Sequence, residues 1–149
     1  MTQSDASRAH AAMTRLVLEQ ANPRQAVADA TGISFSRARV LRRLLQGPAR
    51  MTELATRLGT DKPYLTVMVD DLVQRGLVTR MEAPDDRRAK VVALTDAGSS
   101  LAAEAERIVS RPAPGLARLN PVELATLVRL LEKACGEDAA ISPDRTDGT

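Results

Sequence analysis

The chain has 149 residues, 44% of them hydrophobic, with a formal net charge of +2 and an isoelectric point near 9.1. That apolar content supports one domain with a core, or two small lobes sharing one, and excludes a disordered chain. Tyr64 and Phe35 are the only aromatic residues, so the core must be packed from Leu, Val, Ala, Ile and Met, a composition that favours helices. One cysteine, Cys135, rules out an intrachain disulfide and a thiolate-only metal site and fits a reducing compartment. No apolar run reaches the length of a membrane span and residues 1–11 are polar, so the expected location is cytoplasmic, with no membrane partner.

In chain order, residues 1–4 are expected to fray. Residues 5–21 follow as an Ala-rich helix with Ala9, Met13, Leu16 and Val17 at helical spacing, and Asn22-Pro23 offers a cap and a first-turn proline for a second short segment. The apolar stripe is thin for an independent element and predicts burial against a second subunit. Ser34 is a suitable cap for a helix over residues 35–46, stopped by Gly47-Pro48. Ile33, Val40, Leu41, Leu44 and Leu45 are expected on its inner face, with Arg39, Arg42, Arg43 and Gln46 outside. Arg37 falls within the apolar face and must be paired, either in a structural ion pair or at an effector pocket or interdomain contact. The exposed arginines could meet phosphates or simply face solvent.

Residues 50–98 carry the densest pattern. Leu54, Ala55 and Leu58 share a face of a helix over residues 52–58, with Thr52 as its candidate cap and Gly59 just past its end. From Lys62, Leu65, Met68, Val69, Leu72 and Val73 line one side of a second helix, while Pro63, Tyr64, Thr66, Val67, Asp70 and Gln74 line the other. Two short helices joined by Gly59-Thr60-Asp61 have the spacing of a helix-turn-helix. An outward Tyr64, Val67 and Pro63 is unusual for a solvated surface, and a DNA major groove, with its thymine methyls and base edges, would explain it. Residues 77–81 and 90–94 then read as strands of a hairpin whose long polar tip spans residues 82–89. The tip region holds Arg87, Arg88 and Lys90, three bases in four positions.

Thr95 or Asp96 opens a helix through about Arg111, with Leu101, Ala105 and Ile108 in register, interrupted by Pro112-Ala113-Pro114-Gly115. Asn120-Pro121-Val122-Glu123 is a capping box for a last helix with Leu124, Leu127, Val128 and Leu131 as its stripe. Residues 137–149 have no apolar pattern and are expected to be a disordered tail. The fold class is thus mainly α with a small β-hairpin wing. Residues 1–31 and 97–136 are expected to be dimerisation helices flanking a winged helix-turn-helix lobe over residues 32–96.

Catalysis finds no support. His10 is the only histidine, and there is no phosphate-cradling loop, serine elbow or metal-ligand spacing, so no enzyme activity, cofactor or metal is expected. Asp70, Asp71, Asp85 and Asp86 read as partners of nearby arginines. Cys135, beside a Leu stripe, reads as a small interfacial hydrophobe in preference to a redox-sensing thiol.

The ordered set Leu54-Ala55-Xaa-Xaa-Leu58-Gly59, Val69-Asp70-Asp71-Leu72, Gly76-Leu77-Val78, Asp85-Asp86-Arg87-Arg88-Ala89-Lys90 and Leu94-Thr95-Xaa-Xaa-Gly98 resembles the MarR family of bacterial transcriptional regulators over residues 31–134. The resemblance implies a homodimeric repressor on a pseudo-palindromic double-stranded operator, with a small-molecule effector acting between the dimerisation helices and the DNA-binding lobe. It implies that Arg88 enters the minor groove, that Asp86 braces it, and that Arg87 takes an adjacent phosphate. Lys90 and Arg39 would add backbone attraction, and Lys62, Pro63, Tyr64, Thr66 and Val67 would face the major groove. This chain departs from the family in having Tyr64, Val67 and three aspartates on or beside the recognition helix and Arg50 where a Ser or Thr cap is usual. The acidic helix leaves one competing reading, a winged-helix protein-interaction module without DNA binding.

Overall fold

The computed structural model describes residues 3–136 in two compact units, one up to Pro112 and one from Ala113 onward. Among the described residues the first unit contains α1 (Gln3–Thr14), which continues as wider π-helical turns over Arg15–Gln20, then α2 (Pro23–Thr31), α3 (Phe35–Leu44), β1 (Ala49–Arg50), α4 (Met51–Leu58), α5 (Lys62–Gln74), β2 (Val78–Ala83), β3 (Asp86–Leu94) and α6 (Asp96–Val109). The second contains a 3-10 turn, Pro114–Arg118, and α7 (Pro121–Cys135). The expected fraying fails at residues 3–4, which already belong to α1; residues 1–2 and the expected tail, residues 137–149, lie outside the described residues.

Most helix ends follow from the residues at them. Ser34, Asp61, Thr95 and Asn120 each accept a backbone N–H three residues on, and Asn120 with Glu123 completes a capping box. Two expected caps fail. Asn22 caps nothing with its side chain; it is instead the one described non-glycine residue with positive φ, at 41°, and supplies the bend between the π-helical turns and α2. Thr52 lies inside α4, whose cap position is Arg50 with no side-chain bond to the helix.

The core of the first unit joins Val27 of α2, Val40, Leu41 and Leu44 of α3, Leu54 of α4, Leu65, Met68, Val69 and Leu72 of α5, Val92 of β3, and Ala102, Ala105 and Ile108 of α6. Ala38 is buried where Leu45 was expected, and Leu45 is exposed because α3 ends at Leu44 and the chain turns there. Val73 likewise sits at the rim, not within the core. Arg42 Nε meets Glu106 at 2.7 Å, tying α3 to α6.

The sheet has the order β1-β3-β2, antiparallel throughout. The hairpin is longer than the sequence suggested: β2 runs to Ala83, and a two-residue turn, Pro84-Asp85, joins the pair Ala83↔Asp86. One step back the pairing is Glu82↔Lys90, so Arg87, Arg88 and Ala89 have no partner across the ladder. Arg87 and Arg88 therefore occupy a bulge behind the turn, not an open tip, while Lys90 stays on the ladder; an irregular stretch of this kind re-aims side chains out of the sheet.

The exit from the wing is fixed by a close approach. Thr95 Oγ1 donates to Gly76 O at 2.6 Å and accepts the Gly98 N–H at 3.0 Å, while the Thr95 N–H donates to Leu77 O. A Cβ on Gly98 would stand 1.8 Å from Leu77 O, a backbone atom that cannot yield. Gly98→Ala is expected to cost about 2–4 kcal/mol, read as a lowered midpoint in urea unfolding, whereas an ordinary glycine-to-alanine change in an exposed helix would be stabilising.

Candidate nucleic-acid interface

The placement of α5 is decided by its inner face. Leu65, Val69 and Leu72 are fully buried and Met68 nearly so, and each such burial contributes about 1.5–3 kcal/mol. No contribution from the outer residues competes with that sum, so the helix must present Lys62, Pro63, Tyr64, Thr66 and Val67 to solvent. Tyr64 and Val67 remain 50% and 60% exposed, in a protein whose other aromatic residue is half-buried. Thr66 donates its hydroxyl to Lys62 O at 2.9 Å, which leaves the oxygen outward as an acceptor.

The three aspartates that made this helix look acidic are all engaged. Asp61 accepts the Tyr64 N–H at 2.8 Å as the helix cap. Asp70 meets Arg80 of β2 at 2.5 Å, and Asp71 meets both Arg37 of α3 at 2.6 Å and Arg75 at 2.9 Å. Arg37 therefore resolves as a structural ion pair. Burial pushes the Asp71 carboxyl up, but hydrogen bonds and charge from Arg37 and Arg75 outweigh it and hold the group below the usual aspartate range.

Between α4, α5 and the wing lies a concave groove of about 350 Å³ lined by Arg50, Met51, Thr52, Lys62, Thr66, Arg80, Arg88, Ala89 and Lys90. Five of the nine are basic and none is acidic. The structure thus brings together Lys62, Thr66, Arg88 and Lys90 from the expected set and adds Arg50 and Arg80. Arg80 was not anticipated: β2 places it opposite Val92, and the carboxylate it meets, Asp70, lies ten residues back on α5. Asp86 meets Arg88 at the main chain and not at the guanidinium: its Oδ1 accepts the Arg88 N–H at 2.9 Å. Arg87 is exposed on the same bulge. Arg39 is elsewhere. Its Nη2 donates to Leu58 O at 3.2 Å, and with Ser36, Gly59, Thr60, Tyr64 and Met68 it lines a separate hollow of about 220 Å³ at the turn between α4 and α5. Of the outer arginines of α3, Arg42 is spent on Glu106, and the Nε of Arg43 is buried without a hydrogen-bond partner.

Among the described residues, no group of three or more His, Cys, Asp and Glu side chains is placed to hold a metal ion, and no helix is long and apolar enough to cross a membrane. Cys135 is exposed at the end of α7.

The MarR family model matches residues 33–90, the stretch that builds α3, the helix-turn-helix and most of the wing. A probable transcriptional regulator from Pseudomonas aeruginosa is 31% identical, the match covering 79% of this chain and 93% of that one, with a TM-score of 0.58. The chain belongs to the MarR family of winged helix-turn-helix transcriptional regulators. The reduced form of MarR from E. coli is 25% identical over 85% of this chain and 96% of its own, with a TM-score of 0.72. A cysteine-to-serine mutant of the same MarR, solved in complex with operator DNA, superimposes with a TM-score of 0.67 at 23% identity, covering 91% of this chain and all of its own.

The ion pairs on α5 predict an acid dependence for this MarR-family fold. Because the folded Asp71 titrates below its unfolded value, its contribution is complete above the ordinary aspartate range and is lost as pH falls toward the folded value. Thermal unfolding across an acid series should show the midpoint falling through that window, and Arg37→Ala should lower the neutral-pH midpoint and flatten the fall.

Proposed function

We propose that this MarR-family chain is a homodimeric, sequence-specific DNA-binding regulator that acts as a repressor, with α5 as the reading helix and the β2-β3 wing as a second contact. The observation that carries the reading is the juxtaposition of an apolar, outward-facing helix surface, Tyr64 with Val67, and a basic groove free of acidic lining residues. Base methyls carry sequence information and no counterions, whereas phosphates carry counterions and no sequence. A surface with both kinds of group can position itself and read. Support comes also from the operator-bound MarR, whose fold this chain shares. The interaction-module reading loses its footing, since Asp61, Asp70 and Asp71 are all occupied within the protein.

In this reading Lys62, Arg87, Arg88 and Lys90 meet phosphates or the minor groove, where a narrow A·T-rich tract concentrates negative potential around a guanidinium. Arg39 holds the turn between α4 and α5 and reaches the backbone only from its edge. Pro63 and Thr66 flank the apolar pair and set its approach to the bases. A small-molecule effector would release the DNA by changing the separation of the two reading helices of the dimer.

Arg88→Ala should weaken binding to the DNA upstream of its own gene by about 1–3 kcal/mol, the value of one good groove contact, with folding intact because the bulge is exposed. Val67→Ala should relax discrimination at one base position without altering the salt dependence. Arg87→Ala should weaken all duplexes alike and make the salt slope shallower by about one unit. Unchanged preference in Val67→Ala would count against α5 as the reader.

The dimer is supported by unpartnered apolar surface on each unit. Met13, Val17 and Leu18 are 42%, 51% and 45% exposed, and α7 has no buried residue, with Val122, Val128, Leu130 and Leu131 all open. Since Val27 belongs to the core of the first unit, the informative truncation stops before Asn22 and spares α2. Sedimentation of that truncated protein should give a monomer that still unfolds cooperatively; a stable dimer would contradict the assignment.

A further inference from the structure

Three of the five groove cations are matched by carboxylates of the protein itself: Arg50 by Asp85, Arg80 by Asp70 and, at 3.7 Å, Lys90 by Glu82. The first pair differs from the other two. Arg50 Nη2 lies 2.5 and 2.7 Å from the two oxygens of Asp85, so a single guanidinium nitrogen bridges both in a charge-assisted contact, and a phosphate oxygen is an equally good acceptor for it. Asp70 is anchored in the body of α5, and Glu82 sits on a paired rung of the ladder. Asp85, by contrast, is in the two-residue turn, 69% exposed, and can swing away without disturbing either a helix or a strand pair.

We propose that Asp85 is an internal surrogate for a DNA phosphate: it occupies Arg50 in the free protein and gives it up when the DNA backbone enters the groove, so that Asp85 holds down affinity for any duplex and Arg50 becomes a backbone contact of the bound state. The proposal rests on the DNA-binding reading above. Its physical basis is the low cost of the exchange. A solvent-exposed ion pair is worth little, so a phosphate in a groove with Lys62, Arg80, Arg88 and Lys90 alongside can displace the carboxylate. The hydrogen bond and charge of Arg50 hold the Asp85 carboxyl below its ordinary range, so it remains an ionised competitor at neutral pH. Arg50 departs from the small hydroxyl cap that its position favours; a long cation there makes no side-chain bond to α4 and instead lines the groove.

The test is a fluorescence-anisotropy titration of the full chain and three variants, Asp85→Asn, Arg50→Ala and the double substitution. The probes are a duplex from upstream of its own gene and a shuffled duplex of the same composition. Asp85→Asn is expected to bind both duplexes about two- to fivefold more tightly, the gain set by the weakness of an exposed pair. Arg50→Ala is expected to bind both more weakly, and in the Arg50→Ala background the gain from Asp85→Asn should vanish. An equal gain with and without Arg50 would mean that Asp85 acts only through its general charge and would overturn the proposal. Weaker binding by Asp85→Asn would make Asp85 a brace for the wing and overturn it too. Either result leaves the DNA-binding reading standing, because the wild-type chain still binds; a wild-type chain that binds neither duplex defeats both.

Discussion

Everything at the proposed interface depends on the burial of Leu65, Met68, Val69 and Leu72. A thirteen-residue helix with those four residues inside has no freedom to choose what it shows outside. Tyr64, Thr66 and Val67 are presented because their neighbours are needed in the core, and the groove beside them exists because β3, through Val92, packs into that same core. The reading surface is thus a by-product of packing energetics and inherits their rigidity.

Charge is arranged around that fixed helix in two ways. Asp71 with Arg37 ties α5 to α3, and Asp70 with Arg80 ties it to the wing, so the paired aspartates that would repel a phosphate backbone serve as fasteners. Beside them, among the described residues, Lys62, Arg87 and Arg88 have no acidic side chain within ion-pair distance. The nearly neutral chain therefore has a locally basic face, which is why net charge was a poor guide and distribution a better one.

The helical elements were legible in the sequence because their signals are local. Ser34 and Asn120 cap as spacing predicts, Thr95 and not Asp96 caps α6, Asp61, read only as a turn residue, caps α5, and Leu65, Met68, Val69 and Leu72 are buried as the three-and-four recurrence requires. The errors arose where a tertiary or backbone effect prevails. Asn22 takes a left-handed conformation instead of capping, and the wing keeps its ladder almost to the turn by looping out Arg87 to Ala89, which no strand propensity encodes. Arg80 and the Arg50–Asp85 pair were invisible because their partners lie ten and thirty-five residues away. Arg39 looked like a free cation since the carbonyl it reaches, Leu58 O, belongs to another helix.

The central claim, that the apolar face of α5 and the basic groove act together on DNA, is tested most directly by titrating the wild-type chain against the duplex upstream of its own gene and against a shuffled duplex, each at low and at physiological salt. The account predicts that the upstream duplex binds tighter by about a thousandfold or more, and that both affinities fall together as salt rises, since the phosphate share is common to them. Equal affinity for the two duplexes, or binding indifferent to salt, would contradict it.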